Sequence, residues 1–387
     1  MFYNFLKTDF GTFSLIWSRN HLCALELPPL TPTLLINNCK NKYKNIENKS
    51  FNRYIQSVAE QLVRYLENPK AVNLELDQDV GTQYTDFQKD VFTAVKKIPS
   101  GQTKSYQDLG HEIGLLNGGR AIGRALSQNL TPLFIPCHRV ISSNKSIIGY
   151  SPEGGKFWQE LLLYRESGRV FSNNAIEEII KGSIYLAKHD RKLRKIIHFH
   201  GPAALAIGKK RTLFQMLVRT IIGQQLSVKA AQSIYQKLSS LLTGRVNPKR
   251  FVNLNREQLR QCGLSSNKIE TLIKVARLFL EKGFPSESLL ESFSDEEVEY
   301  LLIQIKGIGK WTCDIVKLFH LRRFDTFPEG DLGVRNGFKN YYGFDIDSRK
   351  AKKITNTWSP FRGIACWYLW RLAEYTVSDL EFIDKLN

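Results

Sequence analysis

The sequence predicts a chain of two parts with different folds, an α+β N-terminal part and an all-α C-terminal part. Apolar residues alternate near the start of the chain, as at Phe13, Leu15 and Trp17, which is typical of strands. From about residue 173 onward, apolar residues recur at helical spacing with almost no alternation. A length of 387 residues allows two or three domains. We expect domains at residues 1–84, 85–168 and 169–387.

The first of these segments is predicted to begin with strands and to continue into helices. Residues 1–28 carry the strand pattern, and residues 31–52, rich in Asn and Lys, are predicted to form a loop. Apolar residues from Ile55 to Leu66 share one helical face. Those from Phe87 to Val95 predict a second helix, which Pro99 ends.

The middle segment is predicted to hold two short helices around a tight turn. Ser105 can cap a helix over 106–113. Asn117-Gly118-Gly119 predicts a turn, and a second helix follows from Arg120 to about Ser127. This arrangement is typical of a helix-turn-helix. The last helix of the segment is expected to end at Gly168.

Three polar positions predict helix starts in the C-terminal segment. Ser227 can cap a helix that runs to about Leu241. Asn267 with Glu270, and Ser294 with Glu297, have the spacing of capping boxes.

The composition indicates a polyanionic partner. The formal net charge is +18, and residues 201–250 contain nine Lys or Arg and no acidic residue. No apolar run is long enough to span a membrane, and the N-terminus lacks the pattern of a signal peptide. We therefore expect a nucleic-acid partner, no membrane, and a cytoplasmic location with the nucleoid in a bacterium, or a nuclear one in a eukaryote. The six cysteines are scattered without a C-x-x-C pair, so we expect reduced thiols, no metal and no cofactor.

One cysteine stands in an informative context, Ile135-Pro-Cys-His-Arg-Val140. A thiol reacts as its thiolate, and a free cysteine with a pKa of about 8.5 is mostly protonated at neutral pH. The neighbouring His138 and Arg139 could lower that pKa. The alternative is a buried Cys137 beside a solvent-facing His138, and the dipeptide alone favours this alternative.

The wider context resembles the O6-alkylguanine-DNA alkyltransferases, over about residues 1–168 and most closely over 87–166. The matching residues, besides Pro136–Val140, are Gly119-Arg-Ala-Ile-Gly-Arg-Ala-Leu126, Ser105-Tyr106, Asn129, Gly149-Tyr150, Gly154-Gly155 and Glu166. The resemblance implies a small α+β subdomain followed by a winged helix-turn-helix-like DNA-binding subdomain.

The resemblance also implies roles for individual residues. Cys137 would accept the alkyl group from O6 of guanine in one irreversible turnover, His138 would take the thiol proton through water, and Glu166 would orient His138. The target nucleotide would flip out, because its O6 cannot reach a buried thiol from inside the duplex. The residues implied in DNA or substrate binding are Tyr106, Arg120, Asn129, Tyr150 and Ser151. Among the departures from the family pattern are Lys145 in place of a turn glycine and Gln159 in place of lysine.

A second group of candidate residues lies in the C-terminal segment. Gly307 and Gly309 form a G-x-G between two predicted helices, where the backbone can approach a phosphate. Asp331 follows in a glycine-rich, aromatic stretch. Taken alone, the G-x-G is more often an ordinary interhelical turn, and Asp331 could simply cap the helical run that follows it.

Together these segments resemble the helix-hairpin-helix DNA glycosylases, specifically the 3-methyladenine DNA glycosylase II branch, over about residues 200–375. Further matches are Ile221–Val228, Gly263-Leu-Ser265 with Lys268, and Trp358-x-Pro-x-Arg362 with Trp367 and Trp370. The resemblance implies hydrolysis of an N-glycosidic bond. Asp331 would stabilise the developing sugar cation or activate the attacking water.

The same resemblance implies the subclass and the DNA contacts. Trp311 stands where bifunctional members carry a catalytic lysine, so we expect a monofunctional glycosylase in which Trp311 stacks on the flipped base. Gln224 and Gln225 are expected to face the duplex, where a side chain fills the vacated stack. Gly307 and Gly309 would contact the DNA backbone.

The two resemblances imply a fused alkylation-repair enzyme that acts, as a monomer, on double-stranded DNA containing alkylated bases. One alternative is a non-enzymatic damage sensor, which would lack a nucleophile or a carboxylate. Another is an adaptive-response regulator, which would require a cysteine-rich metal module. Cys137 and Asp331 are present and no four-cysteine cluster occurs, so we expect the enzyme.

Overall fold

The computed structural model describes residues 1–19, 21–28, 46–76, 84–145, 147, 155–169, 175–205, 211–281 and 284–386. The chain divides into two compact units, one of Met1–Lys209 together with Glu374–Asn387 and the other of Lys210–Ala373. No helix in the described part is long and apolar enough to cross a membrane. Tyr150 and Ser151 lie outside the described residues, as does most of the loop predicted over 31–52.

The first unit contains a four-stranded sheet in the order β3-β2-β1-β4. Its strands are β1 (Phe2–Thr8), β2 (Gly11–Ser18), β3 (His21–Glu26) and β4 (Glu47–Asn48). The strand pattern predicted over the first 28 residues is therefore confirmed.

Helices make up most of the rest of the first unit. They are α1 (Arg53–Glu67), α2 (Asp86–Lys96), α3 (Tyr106–Glu112), α4 (Gly119–Ser127), α5 (Gly155–Ser167), α6 (Ile176–His189) and α7 (Arg191–His200), and the C-terminal α19 (Val377–Leu386). Helices α6, α7 and α19 thus belong to the same compact unit as the sheet, although they follow residue 168. The domain boundaries after residues 84 and 168 stay predictions.

Strand β2 is covered on both faces, because all its residues except Ser18 are buried. Phe13 packs edge-on against Trp158 of α5, with ring centroids 5.6 Å apart. The adjacent Thr12 donates a hydrogen bond to the His198 carbonyl of α7 at 3.2 Å. Since adjacent strand residues point to opposite faces, α5 and α7 lie on opposite sides of the sheet.

The helix-turn-helix is built as predicted. Ser105 caps α3 by accepting a hydrogen bond from the Asp108 N–H at 3.0 Å. A two-stranded parallel pairing joins β5 (Lys104–Ser105) to β6 (Val140–Ile141), which brings the segment after Cys137 beside the start of α3. Cys137 itself belongs to the apolar core of α2, α3 and α4.

The second unit is all-α in its described residues, around one large apolar core. Its helices are α8 (Leu213–Gly223), α9 (Val228–Leu241), α10 (Pro248–Phe251), α11 (Arg256–Gln261), α12 (Ser266–Leu280), α13 (Glu287–Ser292), α14 (Asp295–Ile303), α15 (Lys310–Phe319), α16 (Leu332–Tyr342), α17 (Arg349–Asn356) and α18 (Arg362–Leu372). The predicted caps at Ser227 and Ser294 are confirmed. The capping box predicted at Asn267 is wrong, because α12 begins earlier, after Ser265, and Asn267 lies in its first turn.

Candidate active sites

The candidate nucleophile lies in a constrained turn. Cys137 begins a single 3-10 turn, Cys137–Arg139, and its side chain is buried. Asn129 donates a hydrogen bond from Nδ2 to the Cys137 Sγ at 3.0 Å and to the Ile135 carbonyl at 3.0 Å. The Asn129 side-chain oxygen accepts from the Thr131 N–H. Because a hydrogen bond to sulfur favours the charged form of the thiol, Asn129 supports the thiolate.

Glu166 is the centre of a buried hydrogen-bond network. His138 Nε2 lies 2.9 Å from its Oε1, and Tyr65 Oη donates to the same oxygen at 2.5 Å. Arg139 donates from Nη2 to Oε1 at 2.8 Å and from Nε to Oε2 at 3.1 Å, and the Gly101 N–H reaches Oε2 at 3.2 Å. Burial would raise the pKa of Glu166, but the contacts with His138 and Arg139 outweigh it and hold that pKa well below its ordinary value.

The carboxylate fixes the tautomer of His138. Since Glu166 is ionised and can only accept, Nε2 of His138 carries the proton that faces it. Nδ1 is then the basic nitrogen, and it is buried with no hydrogen-bond partner among the described residues. Gln159 also holds this turn, since its Nε2 donates to the His138 carbonyl at 3.1 Å and to the Val140 carbonyl at 3.0 Å. The hydrogen bond to Glu166 thus leaves the Nδ1 lone pair of His138 available to accept a proton.

A pocket of about 550 Å³ opens beside α3 and α4. It is lined by Tyr106, Gln107, Asn117, Gly119, Arg120, Gly123, Ser142 and Ser143. Burial and the nearby Cys137 raise the pKa of Tyr106, so its hydroxyl keeps its proton at neutral pH and can donate a hydrogen bond. Arg120 is exposed at the pocket and forms no ion pair within the described part of the chain.

The candidate carboxylate of the second unit is held by three uncharged donors. Asp331 is the N-cap of α16, with its Oδ1 accepting from the Val334 N–H at 2.9 Å. Trp370 Nε1 donates to the same oxygen at 2.8 Å, and Trp311 Nε1 donates to Oδ2 at 2.8 Å. Oδ1 therefore has both lone pairs engaged, whereas Oδ2 keeps one. Asp331 does cap the helix that follows it, as the alternative interpretation predicts, and the two indole contacts come in addition to this cap.

The lysine beside Trp311 is engaged in ion pairs. Lys310 Nζ lies 3.5 Å from Glu299 and 3.6 Å from Asp314. The half-buried Trp311 directs its indole N–H to Asp331, while Trp370 stacks on Phe319 with centroids 5.7 Å apart. The predicted stacking of Trp311 on a flipped base stays a prediction.

The two hairpin glycines have different steric surroundings. Gly307 has a φ of +97°, and a Cβ there would lie 2.2 Å from Thr271 Oγ1, so a side chain is excluded. Gly309 has open space around it and precedes α15, whose start has no side-chain cap. The first N–H groups of α15 can thus face a phosphate. Gln224 Nε2 donates to the Gly307 carbonyl at 3.0 Å, and Gln225 is exposed.

Sequence reasoning missed part of the first network. Tyr65 has no role in the sequence analysis, and nothing in the apolar stripe of α1 indicates a contact with Glu166. Arg139 was expected to act on Cys137, but its guanidinium instead pairs with Glu166 and donates to the Ile98 carbonyl at 2.7 Å. The motif itself did contain Arg139, so only its partner was unforeseen.

The fold and the two sites define a DNA-repair protein with two reaction centres. Residues 86–168 match the family model described as 6-O-methylguanine DNA methyltransferase, DNA binding domain. Residues 218–361 match the model of the HhH-GPD superfamily base excision DNA repair proteins.

Individual relatives divide between the same two classes. The chain is 31% identical over 211 residues to DNA-3-methyladenine glycosylase 1 of Schizosaccharomyces pombe, a match that covers 52% of this chain and 92% of that protein. It is 37% identical over 126 residues to a methylated-DNA–protein-cysteine methyltransferase of Methanosarcina barkeri, covering 32% of this chain and 74% of that protein. The solved S. pombe 3-methyladenine DNA glycosylase in complex with abasic DNA is 30% identical, covers 51% of this chain and 99% of that one, and superposes with a TM-score of 0.44.

The chain belongs to both the methylated-DNA–protein-cysteine methyltransferase family and the DNA-3-methyladenine glycosylase family. Its function is DNA alkylation repair, and the predicted fusion of the two enzyme classes is confirmed.

Proposed function

We propose that the first unit transfers the alkyl group of O6-alkylguanine in DNA to Cys137 in a single irreversible turnover. The observation that carries this proposal is the buried Glu166–His138 hydrogen bond of 2.9 Å in the turn that begins with Cys137. As the thiol proton passes to His138 Nδ1, through water, the sulfur attacks the alkyl carbon. The S–C bond forms while the C–O6 bond breaks, and guanine leaves with the electron pair.

The pocket residues of the first unit support the leaving group and the flipped nucleotide. Tyr106 keeps its proton at neutral pH and donates a hydrogen bond to the departing guanine, which gains negative charge. Arg120, exposed at the pocket and without an ion pair in the described residues, enters the space that the nucleotide leaves in the stack. Asn129 acts on the sulfur through its amide hydrogen bond, besides any contact with DNA. Tyr150 and Ser151 stay predicted contacts of the nucleotide.

The second unit hydrolyses the N-glycosidic bond of alkylated purines such as 3-methyladenine. The carboxylate of Asp331 is held rigidly, because three of its four lone-pair positions accept hydrogen bonds. Its negative charge is therefore already in position to stabilise the positive charge that develops on the sugar. The remaining Oδ2 lone pair is the place where an attacking water can be received. Lys310 is held by Glu299 and Asp314 and does not supply a free amine, which supports base removal without strand cleavage.

The partner is double-stranded DNA carrying alkylated bases, in keeping with the net charge of +18. We further propose that the protein acts as a monomer and without a cofactor, in the cytoplasm of a bacterium or the nucleus of a eukaryote.

One experiment tests both activities and separates them from damage sensing. The protein is incubated with a duplex holding O6-methylguanine with a labelled methyl group, and with a duplex holding hypoxanthine or a 3-methyladenine analogue. We expect label on the protein and release of the free base. Binding to both duplexes without label or base release would support the sensor instead.

A matched pair of variants locates the methyl acceptor. We expect Cys137→Ala to lose all label on the protein while base release continues at the normal rate. Cys23→Ala is the control, because Cys23 is a free, half-buried cysteine of the same unit whose pKa is raised by burial. Label on the Cys137→Ala protein would rule out the assignment.

A further inference from the structure

One helix of the second unit contacts both segments that are expected to touch DNA. Helix α12 carries Lys268 and Thr271 on successive turns of one face. Lys268 contacts the loop between α8 and α9, which we call the wedge loop (Gln224–Ser227). Thr271 contacts the hairpin between α14 and α15.

The Lys268 ammonium group closes the C-terminal end of α8. Its Nζ donates to the Ile222 carbonyl at 2.8 Å and to the Gln224 carbonyl at 2.8 Å. A cation at this end of a helix satisfies carbonyls that have no partner within the helix and opposes the helix dipole. Lys268 forms no salt bridge with a carboxylate in the described part of the second unit, and burial lowers its pKa. Desolvating a lysine that has no carboxylate partner costs free energy. This cost indicates that the contacts of Lys268 serve to hold the two carbonyls in place.

The wedge loop is exposed and conformationally strained. Gln225 has a φ of +56°, in the left-handed region that residues other than glycine seldom adopt. Leu226 is 41% exposed and Val228, at the start of α9, is 82% exposed. An apolar, protruding loop in a strained conformation persists only where its surroundings hold it. A loop that is held in this way is preformed for insertion into a base stack, whereas an unrestrained loop would first have to be ordered.

The wedge loop and the hairpin are also joined to each other. Gln224 Nε2 donates to the Gly307 carbonyl at 3.0 Å and to Thr312 Oγ1 at 3.2 Å. Thr271 Oγ1 donates to the Lys306 carbonyl at 3.1 Å, and it occupies the space where a side chain at residue 307 would be. Lys268, Gln224 and Thr271 therefore fix the spacing between the loop and the hairpin.

We propose that Lys268 is a positioning residue for base flipping: it holds the wedge loop in register with the phosphate-binding hairpin, so that the loop enters the stack when the hairpin is seated on the DNA backbone. This proposal rests on the glycosylase activity proposed above. It assigns Lys268 no contact with the lesion and no part in breaking the glycosidic bond. Its contribution is made before the chemical step, when the lesion leaves the duplex.

The test compares excision from two duplexes that differ in the free energy needed to flip the lesion out of the stack. Single-turnover release of hypoxanthine is measured from a duplex in which the lesion is paired and from one in which it lies opposite an abasic-site analogue, where flipping costs less. We expect Lys268→Met to slow release from the paired duplex by a factor on the order of 10–100, the value of about one hydrogen bond to a charged group. Release opposite the abasic-site analogue should slow far less.

Lys274→Met is the matched control. Lys274 lies on the same helix and is exposed, so the substitution removes the same charge without touching the wedge loop. We expect it to excise from both duplexes at nearly the normal rate. Equal rates for the Lys268 and Lys274 variants, or equal slowing of the Lys268 variant on both duplexes, would overturn the proposal.

A second variant covers the case in which Lys268→Met does not fold, as judged by its melting curve. Gln225→Gly removes an exposed side chain and keeps the left-handed backbone. It should show the same selective loss on the paired duplex, and uniform excision by this variant would count against a wedge at this loop. If the unmodified protein releases no base from either duplex, the proposed glycosylase function fails, whereas normal release with no selective loss removes only the positioning role.

Discussion

At the scale of single residues, donors from distant segments hold the Glu166 carboxylate in place. Arg139 donates to both of its oxygens, and Tyr65 donates to Oε1, the oxygen that His138 also faces. Because both oxygens are engaged, Glu166 offers Nε2 of His138 an acceptor in a fixed position. The orientation of the imidazole therefore depends on residues that lie outside the cysteine motif as well as on Arg139 within it.

Tyr65→Phe should therefore slow methyl transfer. The substitution removes one of the donors that hold Glu166 Oε1 and keeps the ring that packs in the core. A carboxylate that is held less firmly orients His138 less well, so we expect the rate to fall by a factor of roughly 2–10, the equivalent of one neutral hydrogen bond of about 0.5–1.5 kcal/mol. Single-turnover transfer of labelled methyl at neutral pH checks this.

Tyr84→Phe is the matched control for that loss of rate. Tyr84 is also buried in the first unit, and its hydroxyl accepts from the Leu130 N–H at 3.2 Å rather than contacting Glu166. Its variant should transfer methyl at nearly the normal rate, even if it is less stable. A normal rate in Tyr65→Phe as well would show that Tyr65 only packs.

What the sequence reveals about this site depends on how local each contact is. Cys137, His138 and Arg139 are consecutive, so a short motif exposes them together. Tyr65, Gly101 and Glu166 meet only through the packing of distant segments, and no periodicity of α1 distinguishes a tyrosine that reaches a carboxylate from one that fills a core. The family resemblance supplied Glu166, and the structure had to supply the others.

At the scale of secondary-structure elements, the start of α16 combines a helix cap with a candidate catalytic group. Asp331→Asn keeps the size of the side chain but has one oxygen where the carboxylate has two. Its amide nitrogen would face the N–H of Trp311 or Trp370, donor against donor. If the charge stabilises the sugar cation, single-turnover excision should fall by a factor on the order of 10²–10³, while methyl transfer stays normal. Stability should fall by about 1–3 kcal/mol, the cost of one unmade buried hydrogen bond.

Asp190→Asn separates capping from chemistry. Asp190 caps α7 by accepting from the Lys192 and Leu193 N–H groups, as Asp331 caps α16. Because asparagine also caps well, this variant should lose little stability and excise normally. Near-normal excision by a folded Asp331→Asn protein would remove Asp331 from the mechanism and leave it as a cap.

Helix starts could be predicted where only one residue suited the N-cap position. Ser105, Ser227 and Ser294 each begin a helix as expected. Before α12, Ser265 and Asn267 both suit an N-cap, and the capping-box spacing selected the wrong one. The earlier start leaves Lys268 and Thr271 within the first turns of α12, where their contacts with Gln224 and Lys306 bind the helix to two other segments. Such tertiary contacts override a weak local preference.

At the scale of the whole molecule, the charge should govern binding to undamaged DNA. Each neutralised phosphate contributes about −0.9 to the slope of log K against log salt. With a net charge of +18 and no acidic residue in 201–250, we expect a slope of about −4 or steeper, because several phosphates are contacted. Titrations of an undamaged duplex at several salt concentrations measure it. A nearly flat dependence would show that the basic stretch does not face DNA.

The helices that complete the first unit were the part of the fold least accessible from sequence. The change from alternating to helical patterns marks where strands end, and it placed α6, α7 and α19 with the C-terminal part. The pattern does not indicate which unit a helix packs against. In the structure, Phe5 of β1 packs edge-on against Phe382 of α19 at 5.4 Å, and Lys195 of α7 pairs with Asp384 at 2.7 Å. The sheet thus shares its compact unit with helices that follow residue 168, where the match to the methyltransferase family model ends.

Gly201, at the end of α7, tests whether this shared packing matters for methyl transfer. It has a φ of +75°, and a Cβ there would lie 2.0 Å from the carbonyl oxygen of Phe10, in the turn before β2. Gly168 is the matched control, because its φ of +71° is similar and nothing lies within 4 Å of the added Cβ. Gly168→Ala should cost about 1–2 kcal/mol, the penalty of a left-handed alanine. Gly201→Ala should cost that and a further 1–3 kcal/mol or so from the backbone clash. The temperature at which labelled-methyl transfer to Cys137 is lost should therefore fall markedly more for Gly201→Ala than for Gly168→Ala. Equal falls for the two variants would mean that α7 does not support the fold of the alkyltransferase, whatever its contacts with the sheet.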